Sequence, residues 1–246
     1  MPDFAFVREA EVEIESPPQL VPLYRRNLMD KKVYPFGTAF PVRHANGIFL
    51  ITAGHCAKSN EGETLHCTYN GCRLILDDSS CEILQNDELD VAAIFLNDGR
   101  IVQLLAAISA LPVEDDDIVH DPQLLRIFGY PQSKNKDIAE AKFVPKGVSL
   151  SVLPGTNPRL SSDIASEHRI ELAMDPKTFV DDEGGRSFYF QKIEGMSGGP
   201  LIKFADRGSG VGGRVCGVFV EWDKNTRIGT AVRYRSVMQW LRSEVS

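Results

Sequence analysis

Short apolar runs, each closed by turn residues, follow one another along most of this chain. The stretch "GTAFPVRHANGIFLITAGHC" (Gly37–Cys56) reads as a hairpin around Asn46-Gly47, with "IFLITA" as a buried strand. "LHCTYNGCRLIL" (Leu65–Leu76) reads as a second hairpin about Asn70-Gly71, in which a two-residue turn sets Cys67 opposite Leu74. Further strands are expected in "LDVAAIFL" (Leu89–Leu96), "LLRIFGYP" (Leu124–Pro131), "KGVSLSVL" (Lys146–Leu153) and "HRIELAM" (His168–Met174). "RSFYFQKI" (Arg186–Ile193), "GRVCGVFVEW" (Gly213–Trp222) and "RIGTAVRYR" (Arg227–Arg235) complete the set. Helical periodicity is confined to two places. "PQLVPLYRRNLMDKK" (Pro18–Lys32) has room for a short helix, and "SVMQWLRSEV" (Ser236–Val245) sets Val237, Trp240 and Leu241 on one face. Many short strands with regular turn signals imply an all-β sandwich or barrel.

Composition narrows the class without altering that picture. A length of 246 residues, 43% of them hydrophobic and 25% charged, is ordinary for a globular chain with a substantial core. The net charge of −7 argues against nucleic acid as a partner, because no basic stripe is present to neutralise phosphates. No apolar run approaches the roughly 18 residues of a membrane helix. The start of the chain, "MPDFAFVREAEVEIES", is acidic and has no basic, then apolar, secretion signal, so a cytoplasmic protein is expected. The five cysteines (56, 67, 72, 81 and 216) form no C-x-x-C pair. Their odd count and irregular spacing suit buried free thiols better than a disulfide framework or a zinc site, and no metal or other cofactor is expected.

Three stretches carry chemistry. In "EGMSGGPLI" (Glu194–Ile202) glycines crowd one hydroxyl, where the backbone must turn tightly or approach another group. "LITAGHC" sets His55 directly after a buried strand, and "NDELDVAAIFL" sets Asp90 at the start of another, in an acidic turn shared with Asp87 and Glu88. A serine hydroxyl at neutral pH is a weak nucleophile and needs an adjacent base. That base needs a carboxylate to fix its tautomer, and the oxyanion of an acyl-transfer intermediate needs N–H donors already in place. Together the three segments point to acyl transfer by Ser197.

"TAGHC", "LDVAAIFL" and "GMSGGPL", in that order, resemble the trypsin/chymotrypsin-like serine protease superfamily. "GTAF" and "FGYP" resemble its bacterial and HtrA-like branches more than the secreted digestive enzymes. The resemblance runs from about Gly37 to Trp240. It implies two six-stranded antiparallel β-barrels with a terminal helix and the site between them. His55 would be the general base, Asp90 its orienting carboxylate and Ser197 the nucleophile, with the Gly195 and Ser197 amides as the oxyanion hole. Residues 1–36 would be an N-terminal extension packing on the barrels and 37–112 the first barrel. The acidic, proline-flanked stretch 113–122 would be a linker, and 123–246 the second barrel and helix. Histidine first and serine last also separates the chain from the α/β-hydrolases, whose serine precedes the histidine on a strand-to-helix elbow.

Departures from the resemblance are informative too. Secreted members carry an aspartate before the serine, which pairs with a new N-terminus after zymogen cleavage; here that residue is Met196. The cysteine after the histidine has no partner in the preceding strand, and no PDZ-like extension is expected. Counting back from the serine puts Gln191 and Lys192 near the specificity pocket, where no aspartate selects basic residues. Val220 and Glu221 fall on the strand that would pair with substrate backbone. Glu221 would favour a basic side chain and Lys192 an acidic one, so the preference stays open. The implied function is an intracellular serine endopeptidase acting on a protein or peptide, held to one partner in a defence or signalling system or controlled by an activating or inhibitory protein. The alternatives are a non-catalytic binding module of the same fold and a broad housekeeping protease.

Overall fold

The computed structural model describes residues 20–44, 47–58, 60–69, 72–97, 99, 125–132, 135, 147–155, 163–174, 193–206 and 211–245. Seven strands build the first half: β1 (Val21–Asn27), β2 (Val33–His44), β3 (Gly47–Ala53), β4 (Glu63–Tyr69), β5 (Cys72–Leu76), β6 (Cys81–Asn86) and β7 (Val91–Leu96). They form one antiparallel sheet in the order β5-β4-β1-β2-β3-β7-β6. The sheet curls because β2 serves two neighbours in turn. Its Val33–Ala39 portion pairs with β1, across a register shift at Leu23/Tyr24, and its Phe40–His44 portion pairs with β3. A four-residue helix, α1 (Gly54–Ala57), follows β3 at once.

The second half is a closed barrel. Strands β8 (Leu125–Gly129), β9 (Val148–Pro154), β10 (Arg169–Ala173), β11 (Pro200–Asp206), β12 (Val211–Asp223) and β13 (Ile228–Arg233) run in the order β10-β13-β12-β11-β8-β9, and β10 pairs with β9 to close the ring. Its interior is filled by Leu125, Ile127, Leu150, Leu172, Leu201 and Phe219, among others. The terminal helix α2 (Tyr234–Glu244) buries Tyr234, Val237, Trp240 and Leu241 in an apolar cluster that also takes in the first sheet. The all-β double-barrel architecture is therefore present, with a curled seven-stranded half-barrel in place of a closed six-stranded first barrel.

Both expected hairpins occur. His44 pairs with Gly47, and Cys67 faces Leu74 as a two-residue turn requires. Among the described residues of the stretch Pro18–Lys32, the expected helix is absent. Its residues 21–27 form β1, which lies between β2 and β4. A run buried almost throughout, Val21 to Arg25, has no polar face to reveal whether its period is 2 or 3.6, and Pro22 suits a helix start as readily as a strand. The linker at 113–122 and the strand expected at 186–193 lie outside the described residues, apart from Ile193. Cys56, Cys67 and Cys81 are buried thiols and Cys216 is a half-buried one, none of them in a disulfide. Burial pushes the Cys67 thiol up to about 12. No helix among the described residues is long and apolar enough to cross a membrane.

Candidate active site

His55 sits in the one turn of α1, held by two neighbours. Asp90, the residue before β7, accepts from the His55 main-chain N–H through Oδ1 at 2.9 Å and bonds His55 Nδ1 through Oδ2 at 2.8 Å. Its own carbonyl accepts from Gly54 N at 2.7 Å. Asp90 reaches all three contacts from a left-handed backbone, φ +48°, a region that aspartate tolerates better than most residues. Of the acidic turn, only Asp90 faces the imidazole, while Asp87 is paired with Lys58 at 2.8 Å in solvent. Because Asp90 occupies Nδ1, Nε2 is left to act on a substrate or nucleophile, and the His55 side chain is 44% exposed. Burial by itself works to lower the imidazole pKa. The hydrogen bond to Asp90 and the adjacent Cys56 side chain outweigh it and hold the ring above its ordinary 6.5.

Arg25 holds α1 from the other side. Its guanidinium, 7% exposed, donates to the carbonyls of His55 and Lys58 and pairs with Glu63 at 3.4 Å. It also stacks 3.4 Å above the Phe36 ring, whose edge meets the His55 ring at a centroid distance of 6.5 Å. Glu63 in turn accepts from Tyr34 and Asn60. Sequence reasoning passed over Arg25 because it lay inside the expected helix. An arginine one alternation along from Val21 and Leu23 is the signal that would have found it.

The serine loop follows from the second half. Thr38 N donates to the Ser197 carbonyl at 2.8 Å, and the Cys56 thiol lies 3.6 Å from the same oxygen, so Ser197 is fixed beside the helix of His55. Gly198 N donates to Phe219 O at 2.6 Å and Phe219 N returns a bond to Gly199 O at 2.9 Å, tying the loop to β12. Glycine is required here. Gly198 has φ +87°, and a Cβ on it would collide with Thr38 O and Thr52 Oγ1; Gly195 has φ +95°, and its Cβ would stand 2.6 Å from Tyr130 O. Met196 is buried in the barrel interior, an apolar anchor where secreted members of the resembled superfamily carry an aspartate. Among the described residues neither the Gly195 nor the Ser197 amide donates to a backbone carbonyl.

Val220 and Glu221 fall on β12 beyond the end of β11. Pro200 pairs with Val218, so from Phe219 onward β12 has β13 on one side and, among the described residues, no strand on the other. The Val220 side chain points into the core at 1% exposure and Glu221 is exposed. Gln191 and Lys192 lie outside the described residues. Among the described residues no three His, Cys, Asp or Glu side chains gather to hold a metal ion.

A curled half-barrel and a closed six-stranded barrel make this the double-barrel fold of chymotrypsin-like serine proteases. Solved structures of one protease superpose on it. The active form of the Rv3671c protease from M. tuberculosis matches with TM-score 0.53 at 16% identity, covering 92% of this chain and 80% of that one. Its inactive form matches with TM-score 0.51 at 15% identity, covering 93% and 90%. At that identity the likeness is one of fold. No protein-family model matches the chain, and no curated protein matches it in sequence.

Proposed function

We propose that this protein is a serine endopeptidase that cuts protein substrates through an acyl-enzyme on Ser197. The observation that carries the reading is the Asp90 carboxylate gripping both the main-chain N–H and Nδ1 of His55. That grip sets the tautomer with Nε2 as the free base. In the reaction, Ser197 Oγ attacks the scissile carbonyl carbon while His55 Nε2 takes its proton. The carbonyl oxygen becomes an oxyanion that the Gly195 and Ser197 amides receive. The intermediate collapses, the C–N bond breaks and His55 returns the proton to the leaving amine. Water then repeats the sequence on the acyl-enzyme, with His55 as base, and releases the acid. Substrate backbone pairs with the open edge of β12 beyond Phe219, the usual way in which an extended peptide adds to a sheet.

The finer reading is an intracellular enzyme restricted to one protein partner, because Met196 leaves no ion-pair switch of the zymogen kind to restrain it. Free degradation of casein by the purified chain would contradict that restriction. The test of the chemistry is covalent labelling by a fluorophosphonate, read by intact mass. A single adduct on wild type and none on Ser197→Ala is expected. No adduct on wild type would overturn the peptidase reading and leave a binding module of the same fold.

A further inference from the structure

The oxyanion donors stand on a loop with glycine at the decisive position, so something must set the direction in which the Gly195 N–H points. The two peptide planes flanking Gly195 are each caught by their carbonyl. The Glu194 carbonyl accepts from Gln132 N at 2.7 Å, and the Gly195 carbonyl accepts from Thr38 Oγ1 at 2.8 Å. In a trans peptide C=O and N–H point in opposite directions, so capturing the Glu194 oxygen turns the Gly195 N–H away from Gln132.

Proton counting fixes the role of Thr38. Its hydroxyl has one proton and two lone pairs. Tyr130 N lies 2.9 Å from Oγ1 and can only donate, which commits the threonine proton to the Gly195 carbonyl. Thr38 is fully buried, so no water can take over either bond. Its position is rigid as well: Thr38 N donates to Ser197 O at 2.8 Å, Thr52 Oγ1 donates to Thr38 O at 2.7 Å, and a β-branched side chain has little χ1 freedom. One residue of β2 thus captures the carbonyls of both proposed oxyanion residues. Gln132, which holds the third carbonyl, is tied to the same strand by its side-chain amide on Pro35 O at 2.8 Å.

We propose that Thr38 is a positioning residue of the oxyanion hole: its hydroxyl, oriented by the Tyr130 amide, holds the Gly195 carbonyl and so fixes the second of the two peptide planes between which Gly195 presents its N–H. This rests on the peptidase reading. Without the hydroxyl, only the Gln132 hold on the preceding plane remains, the ψ of Gly195 is released and the loop that carries the donor loosens, while His55 and the substrate edge are untouched.

The test uses Thr38→Val, which removes the hydroxyl at nearly constant volume, and Thr38→Ser, which restores it. Fluorophosphonate labelling is followed against probe concentration, and amide hydrogen exchange is measured over residues 193–199. The limiting labelling rate of Thr38→Val should fall roughly 10- to 100-fold, with the half-saturating probe concentration within about two-fold of wild type. Exchange at 193–199 should quicken, and Thr38→Ser should recover both. A folded Thr38→Val that labels at the wild-type rate overturns the proposal, as does failure of Thr38→Ser to recover it. If wild type does not label, the peptidase reading falls by itself; exchange at 193–199 then decides the pin, and equal exchange in Thr38→Val and wild type overturns it. Should Thr38→Val not fold, Thr38→Ala carries the same comparison.

Discussion

The two halves of the molecule hold their parts of the site by opposite means. In the curled first sheet, His55 is held by charged side chains: the Asp90 carboxylate on one flank and the buried Arg25 guanidinium on the other. In the closed barrel, the serine loop is held mostly by main chain, with amides and carbonyls of residues 193–199 bonded to Gln132, Phe219 and Thr38, the Thr38 hydroxyl included, and with glycines where other backbones press in. A site held by side chains fails when atoms are removed. A site held by backbone fails when atoms are added.

The largest loss of stability should come from adding one carbon to the second half. Gly198→Ala combines a left-handed backbone with collisions against Thr38 O and Thr52 Oγ1, and should destabilise the fold by about 4 kcal/mol or more, read by denaturant unfolding. A wild-type unfolding midpoint in that variant would show that the loop is looser than the contrast requires. Next, Asp90→Asn changes a single atom of the first half. Turnover, or labelling rate, should drop by about 10⁴-fold while the fold persists, since the amide cannot hold the same tautomer. The companion reading is pH. His55 must be neutral to act, and its pKa is held above 6.5, so wild-type activity is lost as pH falls through a midpoint above 6.5. A midpoint at or below that value would mean that Asp90 does not govern the ring. For stability the sign reverses. The pair contributes fully below pH 6.5, and its contribution fades as pH rises through the folded value. The smallest of the three is Arg25→Met, which leaves Glu63 and two carbonyls without their buried cation and should cost about 3 kcal/mol in denaturant unfolding. An unchanged midpoint would reduce Arg25 to a bystander.

The sequence was most readable where a functional group sits at the end of an apolar strand. His55 after "LITA" and Asp90 before "VAAIFL" are marked by a change in pattern, and both strands lie where those runs ended. The first strand was unreadable for the contrary reason, since nearly every side chain from Val21 to Arg25 is buried and no polar face gave its period away. β6 was missed because its exposed Glu82 and half-exposed Ile83 and Leu84 give a weak alternation. Thr38 stood in plain view within "GTAF", yet its role depends on Gly195, 157 residues further along, and no local pattern reports a contact of that range.

That separation also orders events in time. The hydroxyl of Ser197 is made long after Thr38 and still ahead of Phe219, which must arrive to accept from Gly198 and close the loop. At the ~5–20 residues per second of chain synthesis, an emerging polypeptide carries its proposed nucleophile for a second or more with no barrel wall to seat it. Contacts so distant in sequence form late, because loop closure precedes any gain from them. On the proposed reading, a growing or truncated chain is therefore a blade without a hilt, and cutting would begin only after the last strands have locked the two halves together.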